Sequence, residues 1–107
     1  MFAVGLLTMA LPMLANAADG EVSKQQIARR LMTEAGSLRA EWSERALRHA
    51  IQNYDAAKNI FRATGDYREA AAASIRSGET FFVLAEYREA LKRYDEALVD
   101  ARRAQTI

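Results

Sequence analysis

Cysteine, proline and histidine are scarce in this chain, and each shortage excludes a class of protein. The 107 residues contain no cysteine, one proline and one histidine, together with five glycines. Without cysteine there is no disulfide framework, and a lone histidine gives no metal-ligand spacing. With so few helix breakers, long helices can form without interruption. Half of the residues are apolar, so the sequence predicts one small domain with a modest core.

An excess of charge of one sign is also lacking. Lysine and arginine number 15, aspartate and glutamate number 14, and the net charge is +1. Recognition of nucleic acid or of an anionic membrane surface rests on a strong basic excess. We therefore expect no nucleic-acid partner and no membrane-surface partner.

No set of residues for catalysis can be assembled from the sequence. There is no glycine-rich phosphate loop, and His49 lies in a helical segment where no nucleophile is placed beside it. Glu44, Asp66 and Glu69 lie in turns or first helical turns, where the helix dipole favours acidic side chains. We predict a protein that is not an enzyme, with no catalytic residue, no cofactor and no metal.

The N-terminal segment has the pattern of a secretory signal. Residues 1–18 carry no charge and are apolar almost throughout, and Ala15 and Ala17 are the small residues that a signal peptidase requires. A membrane-spanning helix needs about 20 apolar residues, which this segment does not reach. We predict a signal peptide over residues 1–17, an extracytoplasmic location (periplasmic or secreted), and a mature helical domain over residues 18–107 without a membrane span.

The remainder of the chain has the composition of helices, with no candidate strand. A capping box at Ser23 starts the first helix. A turn at residues 40–43 ends it, with Ser43 as the N-cap of the second helix. Gly65 stops the second helix, Asp66 caps the third, and the fourth begins near Glu86.

Apolar residues at helical spacing predict which sides of the helices are buried. The predicted positions are Ile27, Leu31, Ala35, Leu38 and Trp42 in the first helix, Leu47, Ile51, Tyr54, Lys58 and Phe61 in the second, Ile75, Gly78, Phe82 and Ala85 in the third, and Tyr87, Ala90, Leu91, Tyr94, Ala97, Leu98 and Ala101 in the fourth. Gly78 is costly in a helix interior, which predicts that a partner side chain crosses there.

An internal repeat relates the second and fourth helices. Residues 48–62 match residues 88–102 at a shift of 40, with identical residues at the positions of Arg48, Ala50, Tyr54, Asp55, Ala57 and Arg62. A second match, between residues 67–70 and 87–90, has a period of 20. Helical repeats of this length are typical of solenoids, which expose extended surfaces for binding other proteins.

The segment from Ala70 to Ala97 resembles a tetratricopeptide repeat (TPR). Its small and aromatic residues stand at the spacing of that family. Those that carry the resemblance are Gly78, Phe81, Tyr87, Ala90, Tyr94 and Ala97, with Ala50, Tyr54 and Ala57 in the preceding unit. The resemblance implies that these nine residues pack the repeats together.

The repeat is 40 residues long where the common form has 34, and the third-to-fourth turn lacks its glycine. The longer form is similar to TPR arrays of large bacterial proteins, including those that precede caspase-like CHAT peptidase domains. In such arrays the first helix of each pair lines the concave face. The resemblance therefore implies that Arg76, Glu79, Thr80 and Val83 contact an unknown protein or peptide partner.

The sequence thus predicts an all-α fold of antiparallel helix-hairpin repeats, a short TPR-type α-solenoid, acting as an exported, non-catalytic protein–protein interaction scaffold. Because so few repeats are marginal alone, we expect either a piece of a longer array or a homo-oligomer formed through the last helix. Two other functions stay open: a regulatory or sensing N-terminal module of a larger enzyme such as a caspase-like peptidase, and a small helical bundle that binds an apolar ligand. An ordinary antiparallel four-helix bundle is the alternative fold.

Overall fold

The structure, a computed structural model, describes residues 23–106 and consists there of four α-helices. The described part of α1 covers residues 23–40, and it is followed by α2 (Glu44–Ala63), α3 (Tyr67–Val83) and α4 (Tyr87–Thr106). No strand is formed between residues 23 and 106, so the expected all-α fold class is confirmed. None of these helices is both long and apolar enough to cross a membrane. The predicted signal peptide, residues 1–17, lies outside the described residues.

Polar side chains cap two of the helices at their N-termini. Ser43 Oγ accepts a hydrogen bond from the Ala46 amide at 3.1 Å, and the Asp66 carboxylate accepts one from the Glu69 amide at 3.4 Å. Each bond satisfies an amide that the first turn of a helix leaves without an intrahelical partner. The predicted caps of the second and third helices are confirmed, and so is the turn at residues 40–43.

The two turns that flank α3 have the same backbone geometry. Gly65 and Ala85 both adopt the left-handed conformation, with φ of 77° and 60°. In the first turn the Asp66 amide donates to the Phe61 carbonyl at 2.8 Å, and in the second the Glu86 amide makes the equivalent bond at 3.0 Å. This hydrogen bond closes a Schellman turn. The 20-residue period of the sequence is therefore the length of one helix with its turn.

Each helix packs antiparallel to the next one along the chain, and the core is divided among their interfaces. The three buried clusters are Ala28, Ala57, Phe61 and Ala70; Ala35, Ala50 and Tyr54; and Ile51, Phe81 and Ala90. Helix α3 packs against both α2 and α4. Helix α2 likewise contacts α1 and α3, so α2 and α3 are the two inner helices of the described chain.

Helices α2 and α4 run parallel and are joined by a row of ion pairs. The pairs are Arg48–Glu86, Asp55–Arg93, Lys58–Glu96 and Arg62–Asp100, at 2.8–3.0 Å, and in each the partners are 38 positions apart. The constant separation fixes one register along the two helices. Hydrogen bonds to Asp55 raise the pKa of Arg93 against the opposing effect of its partial burial.

Several large apolar residues that were predicted to be buried are exposed instead. They are Ile27 and Trp42 near α1, Ile75 and Phe82 in α3, and Tyr87, Leu91 and Leu98 in α4. The residues that are fully buried in α1 and α3 are small: Ala28, Ala35, Ala70, Ala73, Ser74, Ser77 and Thr80. Those predictions are wrong because helices that approach closely place small side chains at their contacts, and the larger ones point away.

Candidate functional site

A cleft opens between α1 and α3, with α2 forming its floor. Its volume is about 470 Å³, and it is lined by Met32, Gly36, Arg39, Ala40, Trp42, Tyr54 and Arg76. Most of these residues come from α1 or from the turn that follows it. Because Gly36 and Ala40 carry little or no side chain, this side of α1 leaves open space. A concave surface that combines apolar, aromatic and charged groups is the usual form of a binding site.

The cleft carries more positive than negative charge. Arg39 Nη1 donates to Glu79 Oε2 at 2.9 Å, and Arg76 Nη1 donates to the same oxygen at 3.3 Å. One carboxylate therefore neutralises only one of two guanidinium groups. All three side chains are partly exposed, and ion pairs in contact with water contribute little net stability. Both arginines are thus able to exchange this contact for another anion.

Two aromatic side chains complete the cleft. Tyr54 is buried in the core, and its hydroxyl oxygen lies 3.9 Å from the position that a Cβ at Gly36 would occupy. Trp42 lies in the turn after α1, where it is 69% exposed and has a φ of 58°. A bulky residue rarely adopts this left-handed conformation, and residues held so are concentrated at functional sites.

The four residues predicted to contact a partner are divided by the structure. Arg76 lines the cleft, and Glu79 binds its two arginines. Val83 is half-buried near the end of α3. Thr80 is fully buried and donates its hydroxyl to the Arg76 carbonyl at 2.7 Å. The prediction for Thr80 is wrong, because a side chain that is closed off from solvent cannot contact a partner.

The sequence interpretation missed the part of the cleft that α1 contributes. Arg39, Met32 and Gly36 were given no role, and Trp42 was predicted to lie on the buried side of the first helix. Gly36 could have indicated this region, because it is a glycine inside a predicted helix, as Gly78 is in α3. A glycine inside a helix marks a position where another group approaches or where space is left.

Most of the nine residues implied to pack the repeats lie in helix contacts. Ala50, Tyr54, Ala57, Gly78, Phe81, Ala90 and Ala97 are buried, and the half-buried Tyr94 packs its ring against Gly78. Tyr87 is the exception. It is exposed and packs edge-to-face on Phe82, with ring centroids 5.1 Å apart, so it contacts the preceding helix and leaves one side open.

Outside the cleft, the single histidine of the chain lies at the surface. His49 is exposed beside Arg45, Arg48 and Gln52 in a shallow surface depression. Among residues 23–106 there is no group of three or more histidine, cysteine, aspartate or glutamate side chains able to hold a metal ion. The ion pairs between α2 and α4 are structural, since they fix the register of two helices.

Comparison with known proteins gives no relative from which the role of the cleft could be inferred. The chain matches no family model, no curated protein and no solved structure. The cleft between α1 and α3 is therefore described by its own residues alone.

Proposed function

We propose that this chain is a non-catalytic protein–protein interaction scaffold of the TPR type, and that a protein segment with acidic side chains binds in the cleft between α1 and α3. The observation that carries the proposal is the charge of the cleft, where Arg39 and Arg76 share the single carboxylate of Glu79. An incoming carboxylate gains a charge-assisted hydrogen bond with either guanidinium. The incoming carboxylate has to replace only Glu79, whose ion pairs with the two arginines are partly exposed and contribute little net stability.

The aromatic residues of the cleft support a protein partner. Tryptophan, tyrosine and arginine are the residue types that contribute most of the binding energy in protein interfaces. Trp42 and both arginines bring two of these types to one concave surface of about 470 Å³, and the buried Tyr54 forms part of its floor. That volume accommodates a few side chains of an extended or helical segment and is too small for a folded domain.

The arrangement of the helices supports the TPR type. The chain forms two successive antiparallel pairs, α1 with α2 and α3 with α4, and the cleft lies between the first helices of these pairs. The resemblance noted in the sequence implies that partners bind on that side. Export through residues 1–17 remains part of the proposal and rests on the sequence pattern alone.

Selection of peptides from a random displayed library by the full chain tests this function. We expect the selected peptides to be enriched in aspartate and glutamate. Their affinity should fall by about tenfold or more in the double variant Arg39→Glu/Arg76→Glu, because the loss of even one charge-assisted hydrogen bond costs roughly 1.5–3 kcal/mol. The same variant, used in a fresh selection, should enrich basic peptides.

A matched control separates the cleft from general charge effects. Arg68 and Arg88 are exposed and occupy equivalent positions in the first turns of α3 and α4. The double variant Arg68→Glu/Arg88→Glu makes the same change in net charge and should leave peptide affinity within about twofold at physiological salt. Equal losses in the two double variants, or selected peptides without acidic enrichment, would refute the proposed function.

A further inference from the structure

One exposed side of α4 is equivalent, by the 40-residue repeat, to a side of α2 that is buried. By the 40-residue repeat, Leu91 is equivalent to Ile51 and Leu98 to Lys58. Ile51 and Lys58 are 6% and 8% exposed, whereas Leu91 and Leu98 are 62% and 52% exposed. The same positions on two equivalent helices are therefore covered in one and open in the other.

Three further pairs extend this equivalence along the helix. Leu47 is 4% exposed and its equivalent Tyr87 is 56% exposed, while Asp95 and Arg102 are the exposed equivalents of the partly buried Asp55 and Arg62. We call the resulting surface the α4 end face. It consists of Tyr87, Leu91, Asp95, Leu98 and Arg102.

The side chains that cover α2 show what the α4 end face is shaped to receive. Ile51 packs with Phe81 of α3 and Ala90 of α4. Asp55 accepts hydrogen bonds from Ser77 Oγ at 2.9 Å and from two nitrogens of Arg93 at 3.0 and 3.1 Å. The covering unit is thus a helical hairpin, with its first helix supplying a hydroxyl and an aromatic ring and its second supplying a guanidinium.

The two faces differ at one position, and this difference specifies the partner further. Lys58 of α2 donates to Glu96 at 3.0 Å, but its equivalent in α4 is Leu98, which has no charge to offer. A carboxylate placed against Leu98 would lose water without gaining a partner. Arg102 retains the charge of Arg62, which donates to Asp100 at 2.8 Å. The partner should therefore keep the acid opposite Arg102 and carry an apolar residue opposite Leu98.

We propose that the α4 end face docks a helical hairpin of the α3–α4 kind, supplied by a partner segment. Its first helix carries serine or threonine with an aromatic residue four positions later, as Ser77 and Phe81 do. Its second helix carries arginine, an apolar residue three positions later and an acid seven positions later, at the spacing of Arg93, Glu96 and Asp100. This surface is separate from the cleft, so the inference does not depend on the binding of an acidic segment there.

The described part of α1 in a second copy of this chain does not supply the groups that the α4 end face requires. Among residues 23–40, the exposed positions of α1 are mostly polar, including Lys24, Arg29, Arg30, Thr33 and Glu34. Ile27 is the one large apolar side chain exposed there. Leu91 and Leu98 would face charged groups instead of an apolar row.

An extended chain provides the test, with the partner hairpin taken from the protein itself. Residues 1–103 are followed directly by a second copy of residues 64–106, because the repeat aligns Arg103 with Ala63. The appended copy carries Glu96→Leu to match Leu98. If the end face docks it, urea unfolding followed by helical circular dichroism should show one transition, with its midpoint above that of the unextended chain.

Substitutions in the receiving helix identify the surface. Leu91→Glu/Leu98→Glu should abolish the rise in midpoint in the extended chain and leave the unextended chain nearly unchanged, since both residues are exposed there. Val99→Glu is the matched control, because Val99 is an exposed apolar residue of α4 outside the end face. It should preserve the rise.

A charge exchange tests the register. Asp95→Arg in the receiving helix and Arg93→Asp in the appended copy should each lower the midpoint of the extended chain, and together they should restore it. The inference is overturned if the extended chain unfolds in two separate transitions and the midpoint of its original part does not rise. It is also overturned if Val99→Glu lowers the midpoint of the extended chain as much as Leu91→Glu/Leu98→Glu does. It is also overturned if the unextended chain sediments as a dimer that Leu91→Glu/Leu98→Glu dissociates, because the face then serves a second copy.

Discussion

The ring of Tyr94 in α4 packs directly against Gly78 in α3, at a position where α3 has no side chain. A Cβ placed on Gly78 would lie 2.6 Å from Cε1 and 2.9 Å from Cδ1 of the Tyr94 ring. Non-bonded contacts of a Cβ are essentially never shorter than 3.0 Å, and a rigid aromatic ring has to move as a whole to relieve one. The expectation that a partner side chain crosses this glycine is confirmed.

Replacing the two helical glycines should therefore have opposite effects on stability. Gly78→Ala should lower the free energy of unfolding by about 1–2 kcal/mol, because overpacking outweighs the gain in helix propensity. Gly36→Ala should raise it by roughly 0.5–1 kcal/mol, since its nearest atom outside the helix is Tyr54 Oη at an ordinary 3.9 Å. Urea unfolding of both variants beside the parent measures the difference. A stabilising Gly78→Ala would show that the Tyr94 ring is free to move.

The residues of the cleft show how far a sequence can specify a site. Arg76 and Glu79 were predicted as contact residues because they lie on α3 away from its expected helix contacts, and both lie at the cleft. Thr80 was assigned to the surface on the same argument, yet it is buried. Whether a threonine lies inside or outside depends on how close the neighbouring helices approach. Arg39 could not be paired with Glu79 from the sequence, since that pair joins helices 40 positions apart.

At the scale of the element, the ends of helices and the buried side of α2 were predictable, whereas the buried sides of the other helices were predicted only in part. Caps and turns depend on residues within one turn of the chain, so Ser43, Gly65 and Asp66 could be identified directly. The buried side depends on which neighbours a helix has. Helix α3 packs on two sides, and its contacts use alanine, serine and glycine. A rule that buries the largest apolar residues selected Ile75 and Phe82, both of which are exposed.

The turns on either side of α3 offer a paired test of backbone strain. Ala85 occupies the left-handed position that Gly65 fills in the other turn. Ala85→Gly should raise the free energy of unfolding by about 0.5–1 kcal/mol, because relief of the left-handed cost exceeds the added chain entropy.

Gly65→Ala is the reciprocal change and isolates the backbone term. An added Cβ there would meet no atom within 4 Å, so any loss comes from conformation alone. We expect this variant to unfold about 1 kcal/mol more easily. Thermal or urea unfolding measures both variants. If Ala85→Gly were instead destabilising, the left-handed conformation at Ala85 would cost less than the chain entropy that glycine adds, and the turn would not be strained.

For the whole molecule, the order of the helices determines where stability is concentrated. Two of the three buried clusters each join three consecutive helices, α1 to α3 and α2 to α4, so the inner helices α2 and α3 contribute to both of them and the end helices to one each. In a chain whose contacts are made between neighbours, an end element can open while the rest stays folded. The exposed end face of α4 adds to this, because Leu91 and Leu98 bury less than half of their surface in the described chain and so contribute little to its stability.

Native-state hydrogen exchange should therefore rank the helices. Amides of α3 at Ser74, Ser77 and Thr80, whose side chains are fully buried, should exchange about tenfold or more slowly than amides in the middle of α4, because α3 opens only after a neighbour has separated. Adding low concentrations of urea should close this gap as global unfolding takes over. Exchange measured residue by residue by NMR gives the ranking. Equal protection of α3 and α4 without urea would mean that the described helices open as one cooperative unit, and the end face of α4 would then be no weaker than the centre.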